Sequence, residues 1–593
     1  MLQWKYWKDN IRFLAFYSQN EAFMKFKNFL ENLYLGHLDT EVFRSLSDSK
    51  AEDQTLALIE RFRDISQKFP ASDLEKKGKV PKELLEELKA IGFFGLDIPE
   101  NYGGLGLSLP QYLKIVEDVA TQNLDLGFTA LAHLSIGTKG ILLFGTEEQK
   151  RKYLVAAASG QMIFSYALTE PRIGSDAKHI ETTAVLDDSG EFYILNGQKS
   201  YITNASYAGG LTVFAQLDPQ NPGVLGAFIV ETTWEGIKIG QEMPKMGLKA
   251  SSTAAIKFTN VRVPKENLLG QPGDGFKVAM TVLNFGRLAL GAASSGMMKL
   301  SLKDMAKRAE RRIQFGVPIY RFQLIQEKLV RAKRNSYAVG AMTEMTAAIL
   351  ASDPFAPVAI ESSHCKLFGT TKAWDTLYDA LQVAGGSGYL STNPYEKRMR
   401  DFRVTTIFEG TSEIHSIYPA LYFMRDISRR HQQVATKKND LLIFFIKGFL
   451  LRNRWQVKFE AGPMRQAASI SKSLATRIRY MVLAGMLLYR ENVFSKQYFL
   501  RRITRLSLYL FAMVAMLARI ESSRRAGRNV EEALKILELF SERARQVKKN
   551  TFRLLPTREE RLNDETMPYI ISEEQNATKV RSIGSRVQSR RLA

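Results

Sequence analysis

The chain has 593 residues, 45% hydrophobic and 24% charged, which suits a large folded protein of several domains. Its single cysteine, Cys365, excludes an intramolecular disulfide, and its six histidines form no Cys/His cluster at metal spacing, which argues against structural zinc. The net charge of +22 is uneven: residues 431–593 hold 32 Lys/Arg against 14 Asp/Glu, a net +18, as in a unit that faces an anionic partner.

Residues 1–35 are aromatic and of mixed charge. They lack the apolar stretch of a secretory signal, and Asp9, Glu21 and Glu31 argue against an Arg-rich transit peptide. No run reaches the ~20 apolar residues that span a bilayer. The expected location is the cytoplasm or the inner face of a membrane, on the matrix side of the mitochondrion in a eukaryote. From 52 to 160 the pattern is helical. Pro81 opens a helix with Leu84, Leu85 and Leu88 on one face, and Thr146-Glu-Glu-Gln has the form of a capping box. From 163 to about 263 strands and turns take over: Thr182 to Val185 alternates, Phe192 to Leu195 is a strand before an Asn196-Gly197 turn, and Leu211 to Gln216 and Gly226 to Val230 are further strands. Helical periodicity returns from 275 to 425. The expected fold is mainly α with a central, barrel-like β domain. Its expected parts are an extension (1–50), a helical domain (51–162), a β domain (163–274), a helical bundle (275–430) and a basic helical extension (431–593). Within the last, Leu506 to Ile520 is apolar nearly all round, as in a buried bundle helix.

Four segments carry chemical signals. Phe164-Ser-Tyr-Ala-Leu-Thr-Glu-Pro-Arg-Ile-Gly-Ser-Asp176 is a strand opening into a turn that either presents N–H groups to phosphate or merely enters a hairpin. Arg311-Arg-Ile-Gln-Phe-Gly316 reads as a basic helix end or as an Arg supply for a diphosphate. Gln382-Val-Ala-Gly-Gly-Ser-Gly388 lacks the strand–turn–helix frame of a nicotinamide site. Finally, Ile407-Phe-Glu-Gly-Thr-Ser-Glu413 sets Glu409 between apolar residues and a flexible turn. There it is either a solvated loop carboxylate before a helix capped by Thr411 or Ser412, or a desolvated base. His415, nearby, is read as a structural hydrogen-bonder.

Taken in order, these segments resemble the acyl-CoA dehydrogenase family over residues 50–425. The matches include Pro99-Glu-Asn-Tyr-Gly-Gly, Gly145-Thr-Glu-Glu-Gln-Lys, Leu168-Thr-Glu-Pro with Gly174-Ser-Asp, Asn196-Gly-Gln-Lys with Ile202-Thr-Asn, Lys245-Met-Gly-Leu-Lys-Ala and Phe408-Glu-Gly-Thr. Length, the basic extension and Leu324-Ile-Gln-Glu-Lys-Leu are most similar to the very-long-chain subgroup. The resemblance implies FAD-dependent α,β-dehydrogenation of a long or very long fatty acyl-CoA to the trans-2-enoyl-CoA, with electrons passed to electron-transfer flavoprotein. It implies Glu409 as the base, and Ser175, Asn284, Arg287, Phe408 and Gly410 about the substrate. It assigns to FAD Tyr166, Ala167, Leu168, Thr169, Ser175, Tyr201, Ile202 and Thr203. It adds Arg312, Phe315, Gln382 and Gly386 from across a homodimer interface, and Thr411, Ser412 and Glu413. Tyr201 stands where the family commonly has Trp. Ala132, where medium-chain relatives often carry a bulky acid, implies a deeper pocket.

Two other readings stay open: an oxygen-using acyl-CoA oxidase, and a non-catalytic assembly protein that kept the fold. No nucleic-acid-binding pattern accompanies the basic charge. Residues 441–452, Leu-Leu-Ile-Phe-Phe-Ile-Lys-Gly-Phe-Leu-Leu-Arg, are expected to lie on an anionic membrane surface, flanked by Lys437, Lys438 and Arg454 and anchored by Trp455, or else to pack into the bundle or dimer.

Overall fold

The computed structural model describes residues 28–46, 53–434, 448–451, 453 and 455–572, with side chains excepted at 430–434. A short helix, α1 (Phe29–Tyr34), is capped by Asn28 and buried along its whole length. The longer helices that follow, α2 (Asp53–Lys68), α3 (Lys82–Ala90), α4 (Leu109–Gln122) and α5 (Leu124–Ala132), with short ones at Thr40–Arg44 and Ala71–Lys77, lead through a π-helical turn at His133–Gly137 and a short helix at Lys139–Phe144. Next comes α6 (Glu147–Ala158), where Thr146 and Gln149 form the expected capping box.

Seven strands follow in one curled sheet: β1 (Ile163–Ala167), β2 (Thr183–Leu186), β3 (Phe192–Thr203), β4 (Ala208–Gln216), β5 (Leu225–Glu231), β6 (Ile237–Ile239) and β7 (Thr253–Pro264). The order is β1-β4-β2-β3-β7-β6, with β5 on the other edge of β4. Asn196-Gly197 is not the turn its composition suggests. β3 runs straight through it, with a register shift against β7 between Leu195 and Gly197. Gly197 has φ 144°, and a Cβ there would meet Thr182, so the glycine serves a bulge rather than a hairpin.

The second helical layer is long. Helix α7 (Gly275–Arg311) has 37 residues and spans about 55 Å. It ends in a small hairpin, β8 (Ile313–Gln314) and β9 (Val317–Pro318). Helix α8 (Gln323–Ser352) packs antiparallel on α7, α9 (Ala359–Ala384) runs back parallel to α7, and α10 (Ser412–Val434) completes this bundle. The extension adds α11 (Gly462–Tyr489), α12 (Gln497–Arg525) and α13 (Glu531–Thr551). Apolar nearly all round, α12 is buried from Leu506 to Ala518 and touches α8, α10, α11 and α13. The extension is thus seated on the bundle, not tethered to it. Residues 441–447 and the flanking Lys437, Lys438, Arg452 and Arg454 lie outside the described residues. Trp455 is described, and it turns inward: it packs on the main core with the Lys472 ammonium 5.6 Å from its ring, so it does not stand out as a surface anchor.

Candidate active site

A cavity of about 380 Å³ opens where α5, β1, β3, α7 and the Glu409 turn converge. One end is apolar and lined by Val116, Ala120, Leu124, Leu131, Ala132 and Ala293. The other is the Gly174-Ser-Asp-Ala-Lys178 turn, with Phe276 from the start of α7.

Glu409 stands between these ends. Its Oε2 is buried and has no hydrogen-bond partner. Burial pushes the carboxyl up to about 7, against the opposing pull of the Arg287 and Lys366 charges. Its backbone is left-handed, φ 55°, followed by Gly410 at φ 97°. The carboxylate lies over Gly286 on α7, and a Cβ at 286 would fall 2.8 Å from its Cδ. A side chain at 286 would therefore displace it. Arg287 Nε donates to the Glu409 carbonyl at 3.4 Å. Phe408 packs on Phe128, ring centroids 5.5 Å apart. Thr411 does cap α10, its Oγ1 accepting from Ile414 N. Helix cap and buried carboxylate thus occupy one turn, where the sequence offered them as alternatives.

The opposite wall is built by two strands. In β1 the alternation sends Tyr166 to the cavity, its hydroxyl donating to Ala279 O at 3.2 Å, and Ala167 to the sheet core. A second register shift in β3, between Lys199 and Ile202, inverts the side chains. Lys199 is sent inward, where its Nζ donates to Glu170 Oε1 at 2.8 Å and to Leu168 O at 3.1 Å. Tyr201 is sent outward at φ 60°, its ring 63% exposed along the cavity. Burial lowers Lys199 to about 8, while Lys199 and backbone donors hold Glu170 below the usual carboxylate range. This ion pair pins the Leu168-Thr169 loop. Tyr166, Leu168, Thr169, Ser175, Tyr201, Ile202 and Thr203 therefore share one wall with the partnerless, buried Ser165 hydroxyl. An exposed aromatic face, unsatisfied polar atoms and the adjacent Ser175 turn suit a planar heterocycle carrying a polar tail, as FAD does.

Other expected residues lie elsewhere. Asn284 accepts from Ser362 Oγ at 2.8 Å and is absent from the cavity wall, because on α7 it faces α9. Ser412 turns back to Thr406 O, and Glu413 is exposed. Arg312, Phe315, Gln382 and Gly386 are exposed at the hairpin and the end of α9, and none lines this chain's cavity. Two buried residues were missed. Lys366 donates to Gly410 O at 2.6 Å, and burial lowers it to about 8. Ser363 bonds His415 Nδ1 at 2.7 Å. Neither carries a local sequence signal, since their partners are remote in the chain.

Comparisons with known proteins point to one family. The acyl-CoA dehydrogenase N-terminal, middle and C-terminal domain families match residues 52–161, 165–261 and 273–418. The human mitochondrial very long-chain specific acyl-CoA dehydrogenase is 36% identical over 86% of this chain and 81% of its own length. An acyl-CoA dehydrogenase from Bacillus anthracis, solved in complex with FAD, superposes with TM-score 0.76 at 28% identity, covering 90% of this chain and 94% of the other. Butyryl-CoA dehydrogenase from Megasphaera elsdenii superposes with TM-score 0.60 at 33% identity, covering 64% of this chain and 100% of the other. The chain belongs to the acyl-CoA dehydrogenase family of flavin-dependent oxidoreductases.

Proposed function

We propose that this enzyme dehydrogenates long or very long fatty acyl-CoA thioesters, with Glu409 as the base that removes the α-proton. The observation that carries this reading is the buried, partnerless Glu409 Oε2, set between the apolar end of the cavity and the Tyr201 wall. The acyl chain enters the apolar end, where Ala120, Ala132 and Ala293 leave room for length. Desolvation makes the Glu409 carboxylate a stronger base than one in water, and the nearby Arg287 and Lys366 charges keep it ionisable near neutral pH. Bound FAD, held by Tyr166, Thr169, Ser175, Tyr201 and Thr203, supplies the acceptor for the β-hydride. Phe128 and Phe408 cover the Glu409 turn and exclude water.

The finer parts of the reading have their own support. Similarity to the human mitochondrial very long-chain specific enzyme favours a long acyl chain and, in a eukaryote, a mitochondrial setting. An electron-transfer flavoprotein is the acceptor implied by the family. A homodimer accounts for Arg312 and Phe315 standing exposed away from their own cavity. The basic extension suits an anionic lipid surface.

The test is anaerobic flavin bleaching by acyl-CoAs of rising length. Bleaching should strengthen toward long chains. Glu409→Gln should retain FAD but slow bleaching about 10³-fold, because a carboxamide cannot take the α-proton. Near-normal bleaching by the flavin-loaded variant would remove Glu409 from the reaction.

A further inference from the structure

The Glu409 carboxylate has no polar side chain to aim it, since its Oε2 is partnerless. Its direction is set by the main chain, and that main chain is left-handed at Glu409, a conformation L-residues resist. Something must hold it there. The carbonyls of Glu409 and Gly410 both face buried donors. His415 Nε2 lies 3.0 Å from Glu409 O, Arg287 Nε lies 3.4 Å from the same atom, and Lys366 Nζ lies 2.6 Å from Gly410 O. Three helices thus converge on two consecutive peptide groups: α7 through Arg287, α9 through Lys366, and α10 through His415.

His415 is the most constrained of the three. It is 1% exposed, and burial beside the Arg287 and Lys366 charges holds it well below the usual histidine range. A neutral imidazole carries one N–H. Ser363 Oγ is 2.7 Å from Nδ1 and can donate there, which leaves the proton on Nε2 for the Glu409 carbonyl. The ring also packs against Gly410, where a Cβ would come within 2.7 Å of Nε2. Any other tautomer or ring position gives up the contact.

We propose that His415, oriented by Ser363, acts with Lys366 as a positioning clamp. It holds the Glu409–Gly410 carbonyls so that the carboxylate stays over Gly286 and faces the cavity. This rests on Glu409 being the base. A carbonyl clamp works through geometry alone, so its loss should slow proton removal while leaving ligand affinity in place.

The experiment uses the full-length, FAD-loaded protein and a long 3-thia-acyl-CoA, which keeps an acidic α-hydrogen but has no β-hydride to give. Exchange of that hydrogen in D2O reads proton removal separately from redox chemistry, and flavin content and analogue binding are measured alongside. His415→Ala should bind FAD and analogue nearly as the parent does, yet exchange about 10²-fold more slowly. His415→Gln, whose carboxamide N–H can reach the same carbonyl, should recover most of the rate. Ser363→Ala should fall between the two, and Lys366→Met should lose rate with analogue binding intact. Parental exchange in His415→Ala, or equal losses in the Ala and Gln variants, would overturn the clamp. Should His415→Ala not fold, Ser363→Ala decides in the same assay, and an unchanged rate there overturns it. Glu409→Gln separates the two ideas. Exchange that persists in that variant refutes the base, whereas exchange lost there but intact in His415→Ala refutes only the clamp.

Discussion

Near pH 6 most of the Glu409 population carries a proton, because desolvation has moved the carboxyl up to about 7. Only the ionised form can take another. The value of kcat/KM is therefore expected to rise about tenfold per pH unit below 7 and to level off above it. A flat profile from about pH 5.5 to about pH 8 would contradict this assignment. The same burial acts on stability with a definite sign. The folded value lies above the unfolded one, so the protonated group's contribution is complete below the unfolded value and is lost as pH rises through 7. The enzyme gives up stability in the range where it works. The neighbours of Glu409 left a solvated loop carboxylate and a desolvated base both open, and the resemblance to the family is what singled out the base. His415 was read as a structural hydrogen-bonder, and it is one, but its acceptor, the base's own carbonyl, could not be seen. Lys366 was illegible, since its partner Gly410 lies 44 residues downstream.

The β8–β9 hairpin shows the same limit for a whole element. The sequence Arg311 to Gly316 read as a helix end or a phosphate ligand, and Arg311 does end α7; what was not foreseen is that the chain then turns into β8, joined to β9 by Phe315-Gly316 with φ 49° and 77°. Positive φ at both central residues is the type I′ geometry that closes two-residue hairpins. Glycine accepts it freely, whereas phenylalanine adopts it at a cost. The Phe315 ring is then left 94% exposed. A strained, exposed aromatic beside Arg312 is what a second subunit would be expected to cover. Arg312→Ala should leave dimers intact on gel filtration but release FAD on dilution, through loss of a charge-assisted phosphate contact. A stable monomer that keeps its flavin would contradict the shared site. Strand β2 was legible from its local alternation, and β4 and β5 from short apolar runs that are buried on both faces. The bulges of β3 were not, because they answer to β7 and to Thr182 rather than to their own neighbours.

At the scale of the molecule, charge and apolar surface divide unequally. The extension carries most of the net positive charge, and it also exposes Leu487, Leu488, Phe494 and Leu555 around Arg490, Lys496 and Arg553. The full-length protein is expected to co-sediment with anionic vesicles at low salt, to release as salt rises, and to bind less well after Phe444 and Phe445 are changed to Ser. Indifference to anionic vesicles at low salt would assign the charge another role. The burial of α12 was legible from its uniform apolarity. What covers it was not, because residues from both ends of the chain meet there. Tyr34 on α1 bonds Ser507 on α12, whose hydroxyl also lies 2.5 Å from His364 Nε2. Arg479 on α11 donates to Tyr34 O at 3.3 Å. Leu30 N and the Asn28 side chain both donate to Glu361 at 2.9 Å.

The seat of α1 bears on how the chain is made. A ribosome releases Phe29, Leu30, Leu33 and Tyr34 early, but the residues that receive them emerge hundreds of codons later, with Glu361 first and Ser507 last. Until then an apolar segment has no place to go, and contacts of such sequence separation form slowly. A nascent chain broken off before α12 would hold this segment against Glu361 and Phe423 but without its Ser507 contact, leaving a partly covered apolar patch that chaperones and proteases can read. The full seat of α1 is complete only once Ser507 on α12 has been made.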